Sequence, residues 1–296
     1  MEIKGIITPI ITPMYDDESV NYDELKNQIN RLINAGLHGL FFFGTNGESY
    51  ILTAEEKKKI LEVAVETVNH RVPVYAGTGC ISTKETIQMS KMAESIGADV
   101  LSIITPWFAA VSQSELLTHY KAIAAEVKTP IVLYNIPGRT GANIAPSTVG
   151  ELASVDNIVG AKDSSGNFNT MLQYLDATKG KDFSVLSGND ALILWCLLAG
   201  GTGGIAGCSN VYPKNIVGIY DNFIQGNIEQ AKICQSSIQS LRNVFQYGNP
   251  NTIVKKATQL LGYPVGNCRA PFNQIPAEGI EVLKKVLAEY KKNGME

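Results

Sequence analysis

Eight short apolar runs rich in β-branched and aromatic residues punctuate the chain, and each is followed by a longer segment with helical spacing. They cover Gly5–Thr12, Gly39–Thr45, Pro73–Thr78, Val100–Thr105, Pro130–Asn135, Ile158–Asp163, Phe183–Gly188 and Gly203–Ser209. Their starts lie roughly 20 to 35 residues apart, room for one strand, one helix and two short loops. Strands separated by helices pair in parallel, and the helices cover the faces of the sheet. Runs such as Pro130-Ile-Val-Leu-Tyr-Asn135 are apolar without alternation, as strands buried on both faces require.

The intervening helices carry their own start signals. Asn21 is followed three residues on by Glu24, Thr53 by Glu56 and Ser82 by Glu85, the spacing at which a capping side chain and an acidic residue satisfy the first free amides. After the eighth run only helix-like patterns remain, broken at Gly226 and at Gly248-Asn-Pro250. Eight β/α units predict an α/β protein of the closed (β/α)8 type, a TIM barrel over 1–225, with a C-terminal helical extension over 226–296 packed on it. An open dinucleotide-binding sheet is disfavoured, because the first run leads into Ile11-Thr-Pro-Met-Tyr15 rather than a G-x-G-x-x-G turn. Gly200-Gly-Thr-Gly-Gly-Ile-Ala-Gly207 lies on the eighth run with the wrong spacing for that fingerprint, and reads as tight strand packing before a phosphate site.

Bulk properties narrow the function. With 45% hydrophobic and 18% charged residues and a net charge of −3, the chain has ordinary globular composition and no basic surface to attract nucleic acid or anionic lipid. Five scattered cysteines, none in C-x-x-C, predict reduced thiols rather than disulfides or a zinc site. No basic-then-apolar leader opens the sequence, and no apolar run approaches the roughly 20 residues a bilayer needs, so a cytoplasmic protein is expected.

In a barrel of this kind chemistry collects where strands end. Lys162 closes the sixth run, after Ile158, Val159 and Ala161, and a lysine aimed into the barrel would have its ammonium form penalised by desolvation. A neutral amine there can attack a carbonyl and form a Schiff base; an ion pair or a surface lysine is the alternative. Tyr134 ends the neighbouring fifth run, where its phenol can shuttle protons or simply pack, and Thr45 can join a hydroxyl relay. Arg139 offers a planar fork to a carboxylate or fixes its own loop. Amides around Thr45-Asn46-Gly47, in a loop opening a helix, can hold a carboxylate, unless Glu48 and Ser49 merely start that helix. His38, His70 and His119 sit away from strand ends, so neither a metal site nor a Ser/His/Asp triad is expected.

These residues fall into motifs that resemble a known family. Gly44-Thr-Asn-Gly-Glu-Ser49 is similar to the G-x-x-G-E motif of the dihydrodipicolinate synthase / N-acetylneuraminate lyase family, Tyr134-Asn-Ile-Pro-Gly-Arg-Thr-Gly141 to its Y-N-x-P-x-R-T-G motif, and Ile158-Val-Gly-Ala-Lys-Asp-Ser-Ser-Gly166 to its lysine strand. The resemblance runs from about residue 3 to the C-terminal helices. It implies a homotetramer built as a dimer of dimers and a lyase or aldolase in which Lys162 condenses with pyruvate. Tyr134 would act as acid and base, Thr45 would join the relay, the amides of Thr45 and Asn46 would hold the pyruvate carboxylate, and Gly188 and the Ile205 carbonyl would lie near the substrate. No metal or organic cofactor is implied.

Within the family, Arg139 and Glu48-Ser49 resemble the synthases that join pyruvate to aspartate semialdehyde. Two positions depart from them. Phe108, in Thr105-Pro-Trp-Phe108, stands where synthases carry a relay tyrosine that reaches across the tight dimer, and it has no hydroxyl. Asn46 replaces a threonine. Ile81 stands where lysine-inhibited synthases place an asparagine, which argues against feedback by lysine. The alternatives that stay open are a 2-keto-3-deoxy sugar-acid aldolase or N-acetylneuraminate lyase-like cleavage yielding pyruvate, and a non-catalytic barrel that binds a keto acid.

Overall fold

The computed structural model describes residues 2–295. All eight expected strands form: β1 (Gly5–Pro9), β2 (Gly39–Phe42), β3 (Val74–Gly77), β4 (Val100–Ile104), β5 (Ile131–Asn135), β6 (Ile158–Asp163), β7 (Ser184–Ser187) and β8 (Gly203–Ile205). They close into a barrel in sequence order, with helices between them. The chain is a TIM barrel. Among the described residues no helix is long and apolar enough to cross a membrane.

Several strands are shorter than their apolar runs. β2 stops at Phe42 because Phe43 takes a left-handed φ of 63°, which ends strand geometry. β8 stops at Ile205 because Gly207–Asn210 turns into a single 3-10 turn, in which the Ser209 hydroxyl donates to the Ala206 carbonyl.

Two compact units can be described separately. The first comprises the chain up to Gly5 together with Pro73–Ile205. It holds β3 to β8 with α3 (Thr83–Ile96), α4 (Gln113–Ala124), the single-turn α5 (Pro137–Thr140), α6 (Pro146–Leu152), α7 (Phe168–Ala177) and α8 (Ile193–Leu198). The Ser82 hydroxyl accepts from the Glu85 amide at the start of α3, and Ser112 and Glu115 form a full capping box at α4. The glycines of β8 are a packing necessity: a Cβ on Gly203 would strike the Gly5 backbone, and one on Gly204 would enter the Ile193 side chain.

The second unit comprises Ile6–Val72 and the chain from Ala206 onward. It contains most of β1, β2, α1 (Tyr22–Asn34), α2 (Ala54–Val68) and the C-terminal helices α9 (Pro213–Ile224), α10 (Ile228–Ser237), α11 (Gln239–Asn243), α12 (Pro250–Leu260) and α13 (Ala277–Lys292). Asn21 accepts from the Glu24 amide, and Thr53 with Glu56 makes the complete capping box the sequence promises. Asn210 ties the turn after β8 to β1, accepting from the Ile11 amide and donating to the Pro9 carbonyl. Tyr212 packs edge-on against Tyr290 of α13, ring centroids 4.7 Å apart. Truncating a fully buried aliphatic residue of this unit, such as Leu25 or Ile253, to alanine should cost about 2–5 kcal/mol. All five cysteines are free thiols.

Candidate active site

β5 and β6 place the two central residues. Their parallel register sets Tyr134 opposite Lys162 and Asn135 opposite Asp163. Because side chains alternate along a strand, Tyr134 and Lys162 project to one face and Asn135 and Asp163 to the other. Lys162 is only 4% exposed, and its Nζ lies 3.8 Å from the centroid of the Tyr134 ring. An amine nitrogen and a phenol thus share one enclosed space at the ends of paired strands.

Residues on the opposite face hold this register. Asn135 Nδ2 donates to Asp163 Oδ1 at 2.9 Å, and Asn135 Oδ1 accepts from the Ile144 amide at 3.0 Å. The Ser165 hydroxyl donates to Asp163 Oδ2 at 2.7 Å. Burial pushes the Asp163 carboxyl above the ordinary carboxylate range, and the bonds from Ser165 and Asn135 pull against that rise. Strand-end residue types alone do not disclose this clamp; its signal in the sequence is the polar pair Asn135 and Asp163, immediately after Tyr134 and Lys162.

Gly188 follows β7 and leaves room for the lysine. A Cβ there would lie 2.8 Å from Lys162 Cε and would overlap the Ser164 hydroxyl, so the lysine stem and Ser164 crowd the same point. The Ser164 Oγ is buried with no hydrogen-bond partner among the described residues. Lys162, Tyr134 and Gly188 therefore come together. Ile205, buried at the end of β8, belongs to the same unit. Arg139 is exposed on α5, held there by the Pro137 start of that single turn.

Phe108 stands 97% exposed beyond β4, with a left-handed φ of 77° that L-residues rarely adopt. The ring buries almost none of its apolar surface against the rest of the chain.

In the second unit, Thr45 and Asn46 sit in a run of tight turns. The loop does not open a helix, since α2 begins only at Ala54, where the Thr53 capping box fixes its start. Glu48 and Ser49 do not begin it either. The turns are closed by the Gly47 amide on the Gly44 carbonyl and the Glu48 amide on the Thr45 carbonyl. The Asn46 side chain lies against Gly207, whose Cα has no Cβ to obstruct it.

Glu48 anchors this loop in a way the sequence did not disclose. It is 0% exposed, takes a left-handed φ of 57°, and accepts from Lys255 Nζ at 2.7 Å and from the Arg269 amide at 2.9 Å. Lys255, on α12, is 1% exposed. Its signal was a lysine directly after Val254 on the apolar side of an amphipathic helix, 207 residues from its partner. The neighbouring Cys268 thiol is pushed up to about 12 by burial and by the Glu48 carboxylate.

Comparison with known proteins matches this architecture to one family. The model of the Dihydrodipicolinate synthetase family matches residues 2–290. The chain belongs to that family. It is 40% identical over 290 residues to the 4-hydroxy-tetrahydrodipicolinate synthase of Methanoculleus marisnigri, covering 97% of this chain and 99% of that one. A dihydrodipicolinate synthase structure from Thermotoga maritima superposes with a TM-score of 0.95 at 31% identity, covering 98% of this chain and 99% of the other. One from Acinetobacter baumannii, complexed with pyruvate, gives a TM-score of 0.94 at 33% identity, covering 99% of this chain and 100% of the other. Family membership makes the protein a lyase.

Proposed function

We propose that the protein condenses pyruvate with an aldehyde through a Schiff base on Lys162, with aspartate semialdehyde as the acceptor. The observation that carries this reading is the buried Lys162 Nζ held 3.8 Å from the Tyr134 ring centroid at the ends of paired strands. The lysine amine adds to the C2 carbonyl of pyruvate, and the carbinolamine loses one water to give an iminium. The iminium draws electrons from C3, so loss of a C3 proton yields an enamine whose carbon adds to the aldehyde carbonyl. Hydrolysis, or displacement by an amine of the acceptor, then frees Lys162. Tyr134 supplies and removes protons, Thr45 serves the relay, the amides of Thr45 and Asn46 hold the pyruvate carboxylate, and Arg139 orients a carboxylate of the acceptor. Gly188 and the Ile205 carbonyl lie along the substrate.

The relatives named for this synthase activity support the choice of acceptor, as does Arg139. A second reading, a keto-deoxy sugar-acid aldolase, is favoured by one observation: Phe108 lacks the hydroxyl that a relay would use. The near-complete exposure of that ring also supports an assembly of several copies, with a homotetramer expected.

Borohydride reduction in the presence of pyruvate tests the mechanism. A three-carbon adduct on Lys162, absent in Lys162→Ala, is expected. No adduct, or one on another lysine, overturns the reading. A condensation screen over aspartate semialdehyde, N-acetylmannosamine, glyceraldehyde and glyoxylate then separates synthase from aldolase.

A further inference from the structure

A cavity of about 840 Å³ opens in the second unit where the end of α1, the start of α9, the end of α12 and the length of α13 meet. Its charged lining is of one sign: Arg31, Lys214, Lys284 and Lys291 contribute to the wall, and no aspartate or glutamate does among the described residues. In a chain of net charge −3, four cations around one cavity are a local concentration. The remaining wall is largely apolar and includes Leu260 and Leu261, two of the larger hydrophobic side chains the fold leaves exposed.

Arg31 is fixed in place. Its Nε donates to Gln28 Oε1 at 2.8 Å, a terminal nitrogen donates to the Asn210 carbonyl, and its guanidinium carbon lies 4.5 Å from the Tyr263 ring centroid. None of these partners is anionic. The Glu24 carboxylate, which accepts from Gln28 and Asn27, acts on Arg31 only at a distance, and burial lowers the pKa of the Arg31 guanidinium. Lys284 pairs with Glu281 in an exposed contact, whereas Lys291 has no carboxylate partner among the described residues. Tyr212 belongs to the same wall, and its buried hydroxyl has no hydrogen-bond partner among the described residues. The fold thus gathers cationic charge beside apolar surface, with no carboxylate among the described residues of the wall itself.

We propose that this cavity is a binding site for a small amphipathic organic anion: one carboxylate, sulfonate or phosphate group on an apolar body. The anionic group meets Arg31 and Lys291, and the apolar body lies on Leu260, Leu261 and Leu287. The volume suits such a ligand, since sites for small organic molecules run about 300–1,000 Å³. Charge complementarity decides the class, because a neutral apolar ligand would leave the cations unused and an inorganic anion would leave the leucines bare. The proposal does not depend on the Schiff-base reading, and its test involves no turnover.

The probe is 1-anilinonaphthalene-8-sulfonate, titrated against the whole chain by fluorescence and by calorimetry. Saturable binding is expected, displaced by octanoate but not by octanol. The exposed pair of changes Lys284→Glu and Lys291→Glu should weaken binding about tenfold or more by reversing charge at the wall. Leu261→Gln should weaken it through the apolar side, while borohydride trapping on Lys162 stays unchanged in both variants. Affinity unaltered in both variants, equal displacement by octanol, or competition with pyruvate overturns the proposal. So does a change in sedimentation mass of the charge-reversed variant without loss of probe binding, which would make the face a contact between copies.

Discussion

Replacing Lys255 with methionine tests how the loop carrying Thr45 and Asn46 is held. Methionine keeps most of the side-chain volume, so the change removes charge and hydrogen bonding more than packing. In the native fold Glu48 accepts a charged bond from Lys255 at 2.7 Å and a backbone bond from Arg269 at 2.9 Å, with no solvent exposure. Lys255→Met strips away the charged partner and leaves the carboxylate with the Arg269 amide and the Cys268 thiol beside it. A charged hydrogen bond contributes about 1.5–3 kcal/mol, and stranding the remaining buried charge raises the expected cost to about 3–5 kcal/mol. Urea unfolding followed by circular dichroism and tryptophan fluorescence reads this directly. The double variant Glu48→Gln, Lys255→Met should be more stable than Lys255→Met alone, since it removes the stranded charge. If Lys255→Met costs less than about 1 kcal/mol, or if adding Glu48→Gln destabilises it further, the pair does not anchor the loop as argued.

Three further outcomes are expected. Gly188→Ala places a Cβ 2.8 Å from Lys162 Cε, so pyruvate-dependent borohydride trapping should slow about 10–100-fold with the far-ultraviolet spectrum preserved. His119, buried on α4 and hydrogen-bonded through Nδ1 to Thr83, has its pKa lowered to about 4 by burial. Its folded pKa lies below the unfolded 6.5, so the stability it contributes is present above pH 6.5 and is lost as pH falls toward 4. His119→Gln should therefore reduce the acid sensitivity of unfolding by up to about 3 kcal/mol between pH 7 and pH 4, measured by denaturant titration at the two pH values. Phe108→Tyr should raise condensation with aspartate semialdehyde in a coupled assay; no gain together with turnover of a keto-deoxy acid would favour the aldolase reading.

Local signals carried much of the architecture. Every strand formed inside its predicted run, and Thr53 and Glu56 formed the predicted capping box, because apolar continuity and caps act over a few residues. Strand ends were less legible: Phe43 is as apolar as Phe42, and only its left-handed backbone separates turn from strand. From sequence Glu48 reads only as a motif residue or a helix start, since nothing within ten residues hints that its partner is Lys255.

The alternating β/α plan, the eight strands and the motifs that single out Lys162 and Tyr134 are written in local sequence. These follow from periodicity and from residue types at strand ends. Other features emerge only on folding: Lys162 Nζ lies over the Tyr134 ring, Gly188 must lack a side chain, Asp163 and Asn135 lock the register, and Glu48 is paired with Lys255. The two sets differ in range. Propensity and patterning are properties of neighbouring residues, whereas burial, charge pairing and excluded volume depend on which distant segments the closed barrel and its helices bring into contact.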